Sequence, residues 1–466
     1  MSPLRNFEPV LRQPVLRRIL PGMAASALGD GMSMVAVAWL AVAIAPAGEA
    51  AGWTGLAVAA YTLPATLGAA VFGRFVRRFS GTGLVGADAS LRAVALGTIA
   101  VLAVTGRLSP AGYVLLLAVS SLLHAWGSAG TYTLIADLLP DPDRVAGNAL
   151  VSTFTQAAMV VGPALAGVVA GLAGPGWVIG IDAASFATLA LSCTLIPRVR
   201  AAAPAIPGPR AAGWRTIVRD SRLLGLLAVT CVFFFLYGPV EVALPLYVAH
   251  DLHGSPALLG AYWTAFGIGA VAGAMGASGL RRRRLSTVVI AIIIGWGTAL
   301  LPIALSRAVW PGLLGLAVGG LAYGPFSAIG TALFQRTSPP QLLSRVLATG
   351  TALTIPSTAL GTLAGGPVVT AIGAQPTLLA SALLTIGLGV GIAAIRWATR
   401  PSNRSNPKNP KNPQRGNVHE GHSADRQAHH RGGPDLRRIH GGRARRDEGT
   451  GPRAEGGLAP DRGAQG

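Results

Sequence analysis

The chain has 466 residues, of which 51% are hydrophobic and only 12% charged, about half the charged fraction of a soluble chain. Too few charged side chains remain to cover a water-facing surface, so a soluble globular protein is excluded and lipid becomes the main solvent. The net charge of +20 invites a nucleic-acid reading, which position excludes: 15 of the 38 Lys and Arg lie from Arg396 onward, and most others sit in short gaps between apolar stretches.

Twelve apolar stretches fill residues 20–397. Each has roughly 20 residues or more, enough to cross a ~30 Å hydrocarbon core as a helix. The first six are predicted at 20–45, 54–73, 83–105, 110–134, 147–173 and 176–197. The second six are predicted at 223–248, 256–280, 286–306, 309–334, 345–372 and 375–396. Lipid offers no partner to a backbone N–H or C=O, so each segment must close its own hydrogen bonds; a barrel would instead show alternating strands of ~10 residues. The first stretch is too long for a secretory signal and contains Asp30.

Arginines in the gaps set the expected topology. Twenty fall before the first stretch or in the even gaps, and only Arg107 and Arg307 in the odd ones. The positive-inside rule then puts both termini in the cytoplasm of a multi-pass plasma-membrane protein. Trp53, Trp177 and Trp310 fall at outer helix ends, where indole rings suit the interface. The Ala/Pro-rich, then basic, segment 198–222 separates residues 1–197 from 223–397, and each part carries an arginine cluster after its second stretch. This predicts an all-α membrane fold of 12 transmembrane helices in two pseudo-symmetric six-helix bundles. Residues 398–466 are rich in Arg, Gly, Pro, Asn and His and poor in aliphatics, and so are predicted to be disordered. The tail histidines His419, His422, His429, His430 and His440 fit a solvated segment better than a metal site, and Cys193 and Cys231 fit packing, so no metal or cofactor is assigned.

Ionisable residues within the stretches are few, and a charge at mid-bilayer costs about 2.5–3.5 kcal/mol on insertion scales. Asp30, at the middle of the first stretch, and Glu241, deep in the seventh after Gly238-Pro239, are the candidates for proton coupling or for attracting a cationic substrate. A carboxyl group that is dry in one state and hydrated in another takes up and releases a proton. His124 is a candidate proton relay or a packing histidine. Asp88 and Arg92, four apart, are expected to form a local ion pair that supports the fold or a gate. Asp182 is expected to cap or staple its helix. Glycine pairs at 167/171, 269/273 and 361/365 have the spacing that would let the two halves approach. Tyr61, Trp126, Phe234, Tyr237, Trp263 and Tyr323 are candidates for lining an apolar cavity, although each taken alone also fits packing or lipid contact.

Several segments carry a resemblance. LRRILPGMAASALGDGMSMVAVAWL (16–40), GADASLRA (86–93), LIADLLPDPDRVAGNALVSTFTQ (134–156), VGPALAG (161–167) and DAASF (182–186) resemble, in this order, blocks of the macrolide-efflux-like branch of the major facilitator superfamily. The likeness covers about 14–397. It implies a two-bundle fold with a central cavity, alternating access, and drug export against proton flow. Gly162-Pro163 is similar to the motif that bends the fifth helix of antiporters. The second gap, with Arg74, Arg77 and Arg78, departs from the superfamily pattern because Gly73 stands where an acid is usual. That departure removes the acid an inward gate of the family would use, and Asp88 or the acids of 137–143 are the candidates to substitute for it.

The reading is a monomeric, proton-coupled exporter of amphipathic small molecules, with protons and lipid as its other partners. Import by the same fold, a polytopic membrane enzyme and a sensor or channel remain as alternatives. No nucleotide-binding glycine loop, metal cluster or nucleophile-base pair stands out, so the chain is read as neither an ATP-driven pump nor an enzyme.

Overall fold

The computed structural model describes residues 7–72, 79–196, 211–339 and 342–398, which pack together as one body. Gly73, Arg74, Arg77 and Arg78, the first half of the expected linker and the tail beyond Ala398 lie outside the described residues. The long helices are α1 (Pro14–Ile44), α2 (Ala50–Phe72), α3 (Gly81–Val104), α4 (Pro110–Leu138), α5 (Asp141–Ala173) and α6 (Pro175–Thr194). They continue as α7 (Ser221–Asp251), α8 (Pro256–Gly276), α9 (Leu285–Leu305), α10 (Val309–Thr337), α11 (Leu343–Ile372) and α12 (Ala374–Ala398). Among the described residues eleven helical segments are long and apolar enough to cross a membrane; α2, of 23 residues, is not one of them.

Several helices start before their apolar stretch because polar caps and prolines extend them. Gln13 accepts from the N–H groups of Val15 and Leu16 at 2.6 and 3.2 Å, and Pro14 occupies the first turn, where its missing N–H costs nothing. That draws Arg17 and Arg18 into α1. Ser80 caps α3 through the Gly83 N–H, and Asp220 caps α7 through those of Arg222 and Leu223. Between α4 and α5, Arg144 donates to the Ala136 and Leu139 carbonyls at 2.7 and 3.0 Å and pairs with Asp141. One guanidinium thus satisfies the end of one helix and is tied to the start of the next.

Helix contacts recur at an offset of six. α1 packs on α5 and α6, and α7 on α11 and α12; α3 packs on α6, and α9 on α12; α2 packs on α4, and α8 on α10. The two groups meet chiefly through α5 with α8 and α2 with α11.

Prolines inside the helices leave carbonyls without their usual donor, and in lipid each needs another partner. Pro64 frees the Ala60 carbonyl, which accepts from Ser121 Oγ of α4 at 3.0 Å. Pro163 frees the Met159 carbonyl, which faces Gly267 of α8; a Cβ there would lie 2.7 Å from it. Pro239 frees the Phe235 carbonyl, and Gly361 of α11 faces it so closely that any Cβ would collide. These glycines bring Cα–H groups to orphaned oxygens, a weak bond that fits a recurring geometry. The glycine-pair expectation is corrected here. Gly167 does face α8 across the two groups, but Gly171 faces open space, 269/273 faces α10, and 361/365 faces α7. Two of the three pairs therefore serve packing within one group.

Close contacts between the groups include Gly55 and Ala51 of α2 against Thr362 and Gly366 of α11, Gly167 of α5 against Ala257 and Gly260 of α8, and, midway along both helices, Met159 of α5 against Gly267 of α8. A Cβ at Gly55 would sit 3.5 Å from the Gly366 Cα. Gly55→Cys with Gly366→Cys, in a chain where Cys193 and Cys231 are alanine, is therefore expected to cross-link in the resting protein. The cross-link should form on oxidation and be lost on reduction; free cysteines after oxidation would show α2 and α11 to be apart here.

Candidate transport site

Asp30 stands in Gly29-Asp30-Gly31, and both glycines have a packing reason. A Cβ at residue 29 would strike the Asp182 carboxylate and Ser185 of α6; one at residue 31 would strike the Ala158 carbonyl of α5. The α5 side of this contact is Gly162, where a Cβ would come 2.5–2.8 Å from the Gly31 and Met32 backbone. α1 is thereby held against both neighbours at the level of its acid. α5 runs through Pro163 as one helix, and Gly162-Pro163 serves this approach.

Asp30 meets Arg92 of α3. Arg92 Nη2 donates to Asp30 Oδ1 at 2.8 Å and Nη1 to Oδ2 at 3.3 Å, a two-pronged pair. Tyr61 of α2 joins it: its hydroxyl donates to Asp30 Oδ1 at 2.9 Å and accepts from Arg92 Nη2 at 2.6 Å. The guanidinium stacks over Phe186 of α6 at 4.2 Å and over Tyr61 at 5.3 Å. Arg92 is sealed, its side chain 3% exposed, whereas Asp30 is 36% exposed. The carboxylate is the reachable half of the pair.

His124 closes the group. α4 breaks at Leu122 and Leu123, and His124 is the first residue after the break. Its Nδ1 lies 3.2 Å from Arg92 Nη1. A guanidinium only donates, so Nδ1 is the acceptor and the ring carries its proton on Nε2.

The expected Asp88–Arg92 ion pair is not formed. Arg92 turns to α1, and Asp88 is buried against Gly127 of α4, with Oδ1 lacking a hydrogen-bond partner among the described residues. Counting along one helix favours i,i+4 partners, but the close α3–α4 approach at Gly127 claims Asp88 for another surface. Asp182 is fully buried and accepts from Ser33 Oγ of α1 at 2.5 Å and from Ser185 Oγ at 3.5 Å, a staple between α1 and α6.

Glu241 is not part of this group. On α7 between Pro239 and Pro245, it accepts from Thr362 Oγ1 of α11 at 3.0 Å. An aromatic assembly spans α7–α10: Phe233 with Phe326 at 5.1 Å, Phe266 with Trp296 at 5.4 Å, Tyr237 with Trp296 at 5.6 Å, and Tyr323 with Phe326 at 5.7 Å. Phe234 and Trp263 join at its edges. Trp126 lies apart, against Phe79. Sequence reasoning missed Phe233, Phe266, Trp296, Phe326 and Thr362. It also missed the signal in Arg92, whose charge inside an apolar stretch requires a carboxylate somewhere in the membrane.

Two cavities lie away from both acids. One of about 310 Å³ is lined by Gly48, Ala51, His250, Asp251 and Thr370; the other, about 690 Å³, is an apolar groove between α9 and α10. Among the described residues no group of three or more His, Cys, Asp or Glu could hold a metal ion.

Residues 5–427 match the family model described as transmembrane secretion effector. The chain belongs to this family, within the major facilitator superfamily. As a transmembrane secretion effector it is a multi-pass membrane transporter, which implies a small-molecule substrate. It is similar to the multidrug efflux pump Tap of Mycobacterium tuberculosis (strain ATCC 25618 / H37Rv), with 29% identity over 393 residues, 80% of this chain and 90% of the pump. It also resembles the MFS-type transporter y4rN of Sinorhizobium fredii (strain NBRC 101917 / NGR234), with 28% identity over 263 residues, 54% of this chain and 63% of y4rN. Among solved structures, the nucleoside transporter NupG aligns with TM-score 0.66 at 14% identity, covering 82% of this chain and 98% of NupG. A bacterial homolog of the human lysosomal transporter Spinster, inward-facing and unoccupied, aligns with TM-score 0.63 at 12% identity, covering 85% of this chain and 97% of its own. At these identities the structural likenesses speak for the fold alone.

Proposed function

We propose that this secretion effector exports amphipathic small molecules in exchange for protons, as a monomer. In this reading 12 helices cross the membrane as two pseudo-symmetric bundles, residues 1–197 and 223–397, joined by a cytoplasmic linker at 198–222 and followed by a disordered tail at 398–466. Both termini are cytoplasmic. The recurrence of helix contacts at an offset of six supports the bundles, and the one-sided arginines support the orientation. With the arginine-rich ends inside, the close approach of α2 to α11 near Gly55 and Gly366 supports a reading of this state as open to the cytoplasm.

The observation that carries the coupling is the unequal burial of one ion pair: Asp30 can be reached, and Arg92 is sealed. A proton arriving on Asp30 removes its charge and its claim on Arg92, leaving the guanidinium with Tyr61, His124 and the Phe186 face. The bundle then favours an arrangement that offers Arg92 another counter-charge, and the proton leaves when Asp30 pairs again. Each proton driven through 100 mV supplies about 2.3 kcal/mol, worth roughly a 50-fold gradient. On the other bundle, Glu241 with Tyr237 and Tyr323 suits a substrate with an aromatic body and a positive charge. The similarity to a multidrug efflux pump supports this substrate range.

Everted vesicles energised by respiration and supplied with cationic dyes and macrolides test the proposal. Uptake into them should collapse with the pH gradient. Glu241→Gln keeps an acceptor for Thr362, so it should lose transport of cations about tenfold and keep that of neutral compounds. Gradient-driven movement out of the vesicles would make the protein an importer, and gradient-independent uptake would remove proton coupling.

A further inference from the structure

The short helix Ala211–Arg219 precedes α7, separated from it by the capping residue Asp220. Successive residues turn by about 100°, so residues four apart share a stripe. Gly213 and Ile217 form the docked stripe. Ile217 is fully buried with Leu223, Leu227, Phe334 and Val346, and Gly213 lies against the Arg345 backbone and Thr349 of α11. Trp214 and Val218 form the next stripe, 49% and 47% exposed. Arg215 and Arg219 form the third and are exposed, and neither is in an ion pair among the described residues. The adjacent acid, Asp220, is occupied in capping α7.

Three stripes with these characters describe a helix lying in a membrane surface: one flank on the protein, an apolar flank beside it, and a basic flank beyond. Its place agrees, since it docks where α7 and α11 both begin, at the end of two spans. In water the exposed indole and valine would be a liability beside two uncompensated guanidiniums. At a bilayer the same set is complementary, because apolar side chains enter the acyl boundary while guanidiniums meet phosphates, and an indole favours that depth. We propose that Ala211–Arg219 lies along the bilayer surface and binds acidic phospholipid headgroups through Arg215 and Arg219, with Trp214 and Val218 set into the lipid. The docked stripe ties this contact to α11, so headgroup charge acts directly on the second bundle.

The test uses the full chain in nanodiscs of phosphatidylcholine with phosphatidylglycerol. Val218→Cys, in a chain with Cys193→Ala and Cys231→Ala, carries a small fluorophore, and brominated forms of each lipid quench it. Brominated phosphatidylglycerol should quench beyond its share of the bilayer. Arg215→Gln and Arg219→Gln should each lower that preference about five-fold, while Arg215→Lys with Arg219→Lys should retain most of it. Equal quenching by both lipids, an unchanged preference in the double glutamine variant, or no quenching by either would overturn the proposal. So would loss of the preference on adding inorganic phosphate at constant ionic strength, which would mark a site for a free anion.

Discussion

Asp30→Asn is expected to lose at least 90% of gradient-driven transport and to be measurably less stable. An asparagine cannot carry a proton to and from the site, and it leaves the Arg92 guanidinium, 3% exposed, without a counter-charge. Breaking a buried pair from one side costs about 3–5 kcal/mol. Asp30 is 36% exposed, so screening lowers the expected cost to about 2 kcal/mol. The decisive comparison adds Arg92→Met to Asp30→Asn. Removing the orphaned charge should restore thermal stability, because an apolar side chain now fills the space against Phe186. Transport should stay lost. Thermal unfolding in detergent and vesicle uptake are read on the same three proteins: the unaltered chain, Asp30→Asn, and Asp30→Asn with Arg92→Met. Full transport by the double variant would show that the pair only holds α1 to α3.

Gly162→Val is expected to cost about 3 kcal/mol, at the upper end of overpacking penalties. The added atoms meet the backbone of Gly31 and Met32 rather than a flexible side chain, so nothing nearby can swing aside. α5 must move off α1, and Gly31 is the neighbour of Asp30. The variant should therefore lose thermal stability and, in whatever protein folds, transport, while Gly171→Val, facing open space, should be near neutral. Equal stability of the two variants would mean that α1 and α5 do not approach as described.

The helices were legible from the chain to within about six residues; the N-terminal ends that caps and prolines extend, such as 14–19 and 141–146, were not. The broken fourth helix was not foreseen, because a break of two residues leaves hydropathy unchanged. Asp30 was legible because a carboxylate within a helix of apolar residues stands out whatever surrounds it. Its partner was not. Arg92 looked bound to Asp88 by helical spacing, and Asp182 looked like a cap or staple without a named partner. Tyr61 was noted only as an aromatic, although its hydroxyl is shared between the two charges.

The division has one physical origin. Bilayer thickness, the cost of bare backbone groups and the cost of buried charge act on each segment separately, so the positions of the helices and of the isolated charges can be read along the chain. Which acid reaches which base depends on how closely two helices approach and from which side. Here that was set by small residues on the partner helices: Gly31 against α5, Gly29 against α6, and Gly127 against Asp88. Those contacts belong to pairs of helices distant in sequence, and only the packed structure pairs Arg92 with Asp30.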